Sequence, residues 1–248
     1  MGGAVVSRVA GWLAGWTLAL LLAAGLAMLG SWQAGRAVQK ERLLQSAATV
    51  LEARQPRPLE LAGDPARRDR LDWAEGSGSF VDAPVVLLDN QLRNGRPGVR
   101  AYRLFDTGAP QWLLVDLGWL AMPGDRSLPR AEWPEGGFEV AGLLAAPPAA
   151  GLALGEPLAS RGDALLMMRM DLQALEAAVR HPVAPRVLRL DPALPLGFER
   201  DLELLPNTLP PDRHRGYALQ WYGLAATVLA IALLLTVRAL RRSRRKPT

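Results

Sequence analysis

Few side chains in this sequence can do chemistry. It has 248 residues, with no cysteine, two lysines and two histidines. Without cysteine there is no disulfide, thiol nucleophile, thiolate metal site or covalent c-type haem attachment. A nucleophile–base pair needs a His or Lys base beside a Ser or Cys, yet Lys40 and Lys246 both lie next to apolar segments. His181 precedes Pro182 at the end of a predicted helix, where capping is the plainer role. Asp89 and Asp116 fall within strand patterns, where carboxylates are more often paired or solvated than catalytic. Met167, Met168 and Met170 could form a thioether set for copper. Strand alternation, however, puts Met168 and Met170 on the face of Leu166, and a core strand explains them. A hydrolase would lack its base.

His214 differs because of where it stands, at the mouth of the last 35 residues. With helical spacing it shares a face with Tyr217 or Ala218 and with Trp221. An imidazole with aromatics beneath it suits an apolar planar ligand whose metal takes an axial nitrogen. Arg36, Lys40, Arg213 and Arg215 lie at the same depth and could meet carboxylates of such a ligand. An ordinary aromatic belt with a solvated histidine accounts for the same residues, so both readings stay open.

Two apolar segments must position these groups. Gly216 to Val237 carries no formal charge, and as a helix it is about 30 Å long, enough to cross a bilayer. Tyr217, Trp221 and Tyr222 mark its start, and Arg238, Arg241, Arg242, Arg244, Arg245 and Lys246 follow its end. The earlier run Val9–Leu29 is also of spanning length. A cleaved signal peptide competes with an anchor there, with Gly25-x-Ala27 as a cleavage site, but the run exceeds the usual apolar centre of a signal. An uncleaved anchor is the better reading. The positive flank of the second span places the C-terminus in the cytoplasm, and two spans put the N-terminus there too. Arg36, Lys40 and Arg42 after the first span argue the other way, but more weakly.

The expected organisation is a cytoplasmic N-terminus (1–9), a first transmembrane helix (10–30), a β-rich domain (31–214), a second transmembrane helix (215–237) and a basic cytoplasmic tail (238–248). In a bacterium the domain is then periplasmic and the chain sits in the inner membrane. All 24 acidic residues and 21 of the 29 basic ones lie between Gln33 and His214. The domain is therefore slightly acidic, and the basicity flanks the apolar segments. That excludes nucleic acid as a partner and points to membrane lipid.

Helical periodicity carries the first segment on to about Ala53. Trp32, Arg36 and Lys40 recur every fourth residue on one face, where an interfacial tryptophan and lipid-facing cations are the plain reading. Gln55 to Gly78 reads as irregular connection ending in a flexible GSGS. Strand signals follow at 85–88, 99–105, 111–120, 138–145, 164–170, 186–190 and near 201–205, with a helix capped by Asp171 after the fifth. The fold class is α+β: two transmembrane helices flank an antiparallel β-sandwich or partly open β-barrel.

Four blocks, in order and spread over almost the whole chain, resemble the surfeit locus protein 1 family. They are GSWQAGR-x3-K closing the first span, LDN-x4-GRPG, LLV-x2-GWL, and PPDRHRGYALQWYGLA opening the second. Together they are highly specific. The resemblance implies a non-enzymatic, inner-membrane assembly factor of haem-copper cytochrome c oxidase. It implies binding of haem a and its delivery to subunit I of the oxidase, with haem a synthase as a further partner. By the same resemblance His214 is the expected haem ligand, with Tyr217, Ala218, Gln220 and Trp221 matching around it and Trp32, Gln33, Arg36 and Lys40 in the opening block. Asn90, Gly95, Pro97, Gly98, Gly118 and Trp119 are expected to serve turns and packing. Where the family often has Asn-Arg before Gly-Trp, this chain has Asp116 and Leu117. A haem-free scaffold that holds an assembly intermediate is the alternative function.

Overall fold

The computed structural model describes residues 2–124, 127–129, 136–149, 156–205 and 208–244, with side chains given from 10 to 242 within them. The end of the basic tail, Arg245 and Lys246, lies outside the described residues. Helix α1 runs Gly2–Ala53 and is followed by β1 (Arg57–Pro58), β2 (Asp72–Phe80), β3 (Val85–Arg93), β4 (Arg96–Asp106), β5 (Trp112–Ala121), β6 (Gly137–Ala145), β7 (Leu158–Arg161) and β8 (Ala164–Met167). Helix α2 (Leu172–Val179), β9 (Val183–Leu190) and α3 (Pro211–Arg244) complete the order. The chain divides into two units, one of Met1–Leu44 with Thr208–Thr248, the other of Gln45–Asn207.

The first unit holds α1 up to Leu44 and all of α3, both long and apolar enough to cross a membrane. The two helices run antiparallel, and their side-chain contacts fix the register. The Trp16 indole donates to the Thr236 hydroxyl at 3.1 Å, and the Ser31 and Tyr222 hydroxyls meet at 3.0 Å. Small residues face the contact: Ala19, Ala23 and Ala37 on α1, Ala218 and Ala225 on α3, all buried while most of their neighbours are exposed. Small side chains let helix backbones approach where lipid offers no hydrophobic drive.

In the second unit the sheet order is β1-β2-β6-β9-β5-β4-β3-β8-β7, with an added β2–β4 pairing at Ser79–Asp106 and Phe80–Phe105. That pairing closes β2, β6, β9, β5 and β4 into a five-stranded barrel, while β3, β8 and β7 extend from β4 as a flap. Antiparallel pairs dominate, and β1–β2, β3–β8 and β5–β9 are parallel. The α2 crossover accounts for the last, since a helix between β8 and β9 brings the chain back in the same direction.

Alternation divides the side chains between two cores. Ala74, Ala101, Phe105, Leu113, Val115, Leu117, Leu144 and Leu188 belong to the first, inside the barrel. Val86, Tyr102, Leu104, Leu114 and Val187 form the second with Met167 of β8 and Leu175 of α2. Asp171 caps α2 through the Ala174 amide, as expected. Charge pairs enter the interior, among them Arg186 with Asp72. Arg186, with 0% exposure, donates to Asp72 at 2.8 Å and to the Arg70 and Leu144 carbonyls.

Three sequence expectations need correction. GSGS is not a flexible connector but part of β2, paired with β6 residue by residue from Asp72 to Ser79. A Cβ on Gly78 would stand 2.5 Å from the Phe105 ring, and one on Gly76 would press on Leu59 at 3.1 Å. The strand expected near 201–205 is absent from the described residues there. The return segment is held to β5 instead by Phe198 donating to the Leu117 carbonyl and by a bridge between Trp119 and Glu199. Finally, β8 stops at Met167. Met167 and Met170 are buried and Met168 is 57% exposed, so Met168 and Met170 do not share a strand face.

The middle blocks serve turns and packing. Gly118 has φ +115, and a Cβ there would lie 2.8 Å from the Glu199 carbonyl. The Trp119 indole donates to the Gln91 carbonyl, and its ring fills the space a Cβ on Gly98 would need.

Candidate functional site

His214 lies in the first turn of α3, where the side chain of a helical residue stands over the preceding turn. The helix starts at Pro211, which loses nothing there because the first amides have no helical partner. Arg213 and His214 donate their amides back to the Pro210 carbonyl. In this register His214 and Ala218 turn toward α1. His214 is only 8% exposed, whereas Tyr217, one position from that face, is 42% exposed.

Gln33 meets the imidazole from α1. The His214 Nδ1 and the Gln33 Oε1 are 2.6 Å apart. A carboxamide oxygen only accepts, so this contact is a hydrogen bond when Nδ1 carries the proton, the form that leaves the Nε2 lone pair free. Nε2 is shielded and, among the described residues, has no hydrogen-bond partner. A buried ring nitrogen left unpaired is uncommon and calls for a reason.

Further contacts hold the two helix ends together. The Lys40 ammonium donates to the Leu209 carbonyl, and Arg215 pairs with Glu41 at 2.6 Å. Gly30 accommodates the Tyr222 ring, which lies 2.9 Å from where its Cβ would be. Arg36 donates to Gln39 on its own helix and is exposed, as is Arg213. Lys40 and Arg36 place positive charge beside the imidazole.

Of the six residues expected around a ligand, the structure brings His214 and Lys40 into the α1–α3 contact. Trp221 is half-buried, while Trp32, at 58% exposure, Tyr217 and Arg36 point outward. Gln33, matched in the opening block but not counted among the six ligand-binding residues, touches His214 directly. Its signal was available: Gly30, Gln33 and Ala37 recur at helical spacing, so a carboxamide stands amid small residues on a packed face. Among the described residues no three His, Asp or Glu side chains gather as metal ligands. The second histidine, His181, stacks on Trp112 with ring centroids 3.8 Å apart.

A family model described as the SURF1 family matches residues 20–226, most of the chain. The protein belongs to the SURF1 family. This is an assembly-factor family, associated with cytochrome c oxidase assembly. No curated protein matches the sequence. The match begins inside α1 and ends inside α3, so it includes Gln33 and His214.

The residues fit one nitrogen ligand of a haem, the cofactor the resemblance implies. A neutral imidazole whose other nitrogen is hydrogen-bonded is the usual form of a metal-ligating histidine, and Nε2 would be the atom to offer an electron pair. The exposed guanidiniums of Arg36 and Arg213 are suited to carboxylates.

Proposed function

We propose that this protein holds haem a at the outer face of the membrane through His214 and aids its insertion into subunit I of cytochrome c oxidase. The observation that carries this is the unpaired, shielded Nε2 of a histidine whose Nδ1 is already engaged. When bound, haem a would supply an iron that takes a nitrogen ligand and propionates that take cations. His214 provides the nitrogen, and Arg36 with Lys40 provides charge for the propionates. Trp32, Tyr217 and Trp221 offer flat apolar surface where the helices leave the bilayer. On this reading the protein is a carrier without catalysis, in keeping with a family of assembly factors.

The same reading puts both termini in the cytoplasm and the β domain outside it, in the inner membrane of a bacterium. The basic run after Val237 supports this, since cytoplasmic flanks carry the excess of Lys and Arg. Membrane lipid and haem a synthase are the further partners of this reading.

One observation favours a haem-free scaffold instead. His214 is covered, so a ligand reaches Nε2 only if the helix ends part. Purification of the full chain from cells that make haem a separates the two. A Soret band in the wild type that is lost in His214→Ala is the expected result. Colourless wild-type protein with intact oxidase assembly would leave the scaffold.

A further inference from the structure

We propose that Gln33 is a positioning residue that fixes the tautomer of His214, so that Nε2 and not Nδ1 is the ligating atom. The role in ligation rests on the haem reading above; the tautomer does not.

A neutral imidazole has one N–H and one lone pair, and what the first nitrogen meets decides where the second points its electrons. Here Nδ1 meets the Gln33 Oε1 at 2.6 Å, and the contact joins residues 181 apart in sequence. The opposite tautomer would leave an N–H at Nε2 in a shielded place without an acceptor. The Gln33 contact and the shielding of Nε2 select the Nδ1–H form, which is the less common one for a free histidine.

Sequence and packing hold Gln33 in place. It is half-buried and flanked on its face of α1 by Gly30, against the Tyr222 ring, and by Ala37, with 1% exposure. Tight contact on both sides leaves the carboxamide little freedom to turn away from His214. A ligand-orienting partner of this kind commonly changes metal affinity about tenfold or more when it is removed.

The test uses the full chain in detergent, with 15N-labelled histidine and a His181→Gln background, so that His214 alone reports. Correlation spectra of the ring distinguish the two tautomers without any haem. The Nδ1–H pattern in the wild type, lost in Gln33→Leu and kept in Gln33→Glu, is expected, because the carboxylate still accepts from Nδ1. An Nε2–H pattern in the wild type, or an unchanged pattern in Gln33→Leu, would overturn the proposal. Titration with ferric protoporphyrin IX is read separately and should show affinity about tenfold lower in Gln33→Leu, restored in Gln33→Glu. Equal affinity in all three would overturn Gln33's role in ligation. A wild type with the Nδ1–H pattern that binds no porphyrin supports the tautomer assignment and overturns the haem reading alone.

Discussion

Arg100 of β4 closes on Asp116 of β5, its Nε 2.8 Å from one carboxylate oxygen and 2.7 Å from the other. Arg189 approaches the same carboxylate at 3.8 Å, and the Gly118 amide donates to it at 3.1 Å. Asp116 is 4% exposed and is the acidic partner of both guanidiniums. Removing one member of a buried pair strands the other, which costs about 3–5 kcal/mol. Asp116→Ala should therefore lower the thermal midpoint of the full chain strongly, with Arg100→Met milder because Arg189 remains. Calorimetry of the two variants in detergent checks the order. An Asp116→Ala midpoint indistinguishable from wild type would refute it.

The interior pair predicts acid sensitivity. Burial pushes the Asp72 carboxyl up, but hydrogen bonds from Arg67 and Arg186 outweigh it and hold the group below the usual aspartate range. A carboxyl with a depressed folded-state pKa stabilises the fold above its unfolded value, and that stability is lost as pH falls through the folded value. Wild-type stability should therefore fall on acidification below the ordinary aspartate range. Asp72→Asn should start less stable at neutral pH and lose less on the same titration. Urea unfolding across that pH series is the measurement.

Barrel closure depends on a missing side chain. Where β2 meets β4, a Cβ on Gly78 would collide with the Asp106 carbonyl and stand 2.5 Å from the Phe105 ring. Backbone cannot give way as a flexible side chain can, so Gly78→Val should force β2 from β4 and destabilise the domain by about 1–3 kcal/mol or more. Hydrogen exchange should show lost protection at Ser79 and Phe80 first, before that of the β4–β5 pair. Unchanged protection at Ser79 would show that the strands close without this contact.

These elements show what the sequence makes legible and what it hides. The spans were legible because a long uncharged run stands out in a chain whose acidic residues are confined to its middle. Strands β3, β4, β5, β6 and β9 were legible because their apolar residues alternate or run together between turns. β2 was not, because DWAEGSGSF has few apolar side chains and its glycines resemble a linker. The need for Gly78, room for Phe105 and Asp106, exists only once the barrel closes. The segment at 201–205 misled in the opposite way, its leucines imitating a strand. At the site, His214 was visible as a histidine at the start of a span. Its partner was harder to see: the small residues flanking Gln33 mark a packed face, but what the carboxamide meets there shows only when α3 is packed against it.

The α1–α3 contact rests on the fit of Gly30 to Tyr222. A Cβ at residue 30 would lie 2.9–3.0 Å from three carbons of the tyrosine ring, and the neighbouring Ser31 hydroxyl bonds the Tyr222 hydroxyl. Gly30→Leu adds a branched side chain that the ring must vacate, which pulls the helices apart near Gln33 and His214. Because the chain has no cysteine, paired substitutions report distance without interference. Gln33→Cys with His214→Cys, which keeps the Tyr222 ring, should be bridged in membranes by a short bifunctional thiol reagent, and adding Gly30→Leu should reduce the yield several-fold. Trp16→Cys with Thr236→Cys, at the far end of the helix pair, should cross-link nearly as well with Gly30→Leu as without it. Equal loss at both ends would mean that the helices separate as a whole and that Gly30 is not a local hinge of the contact.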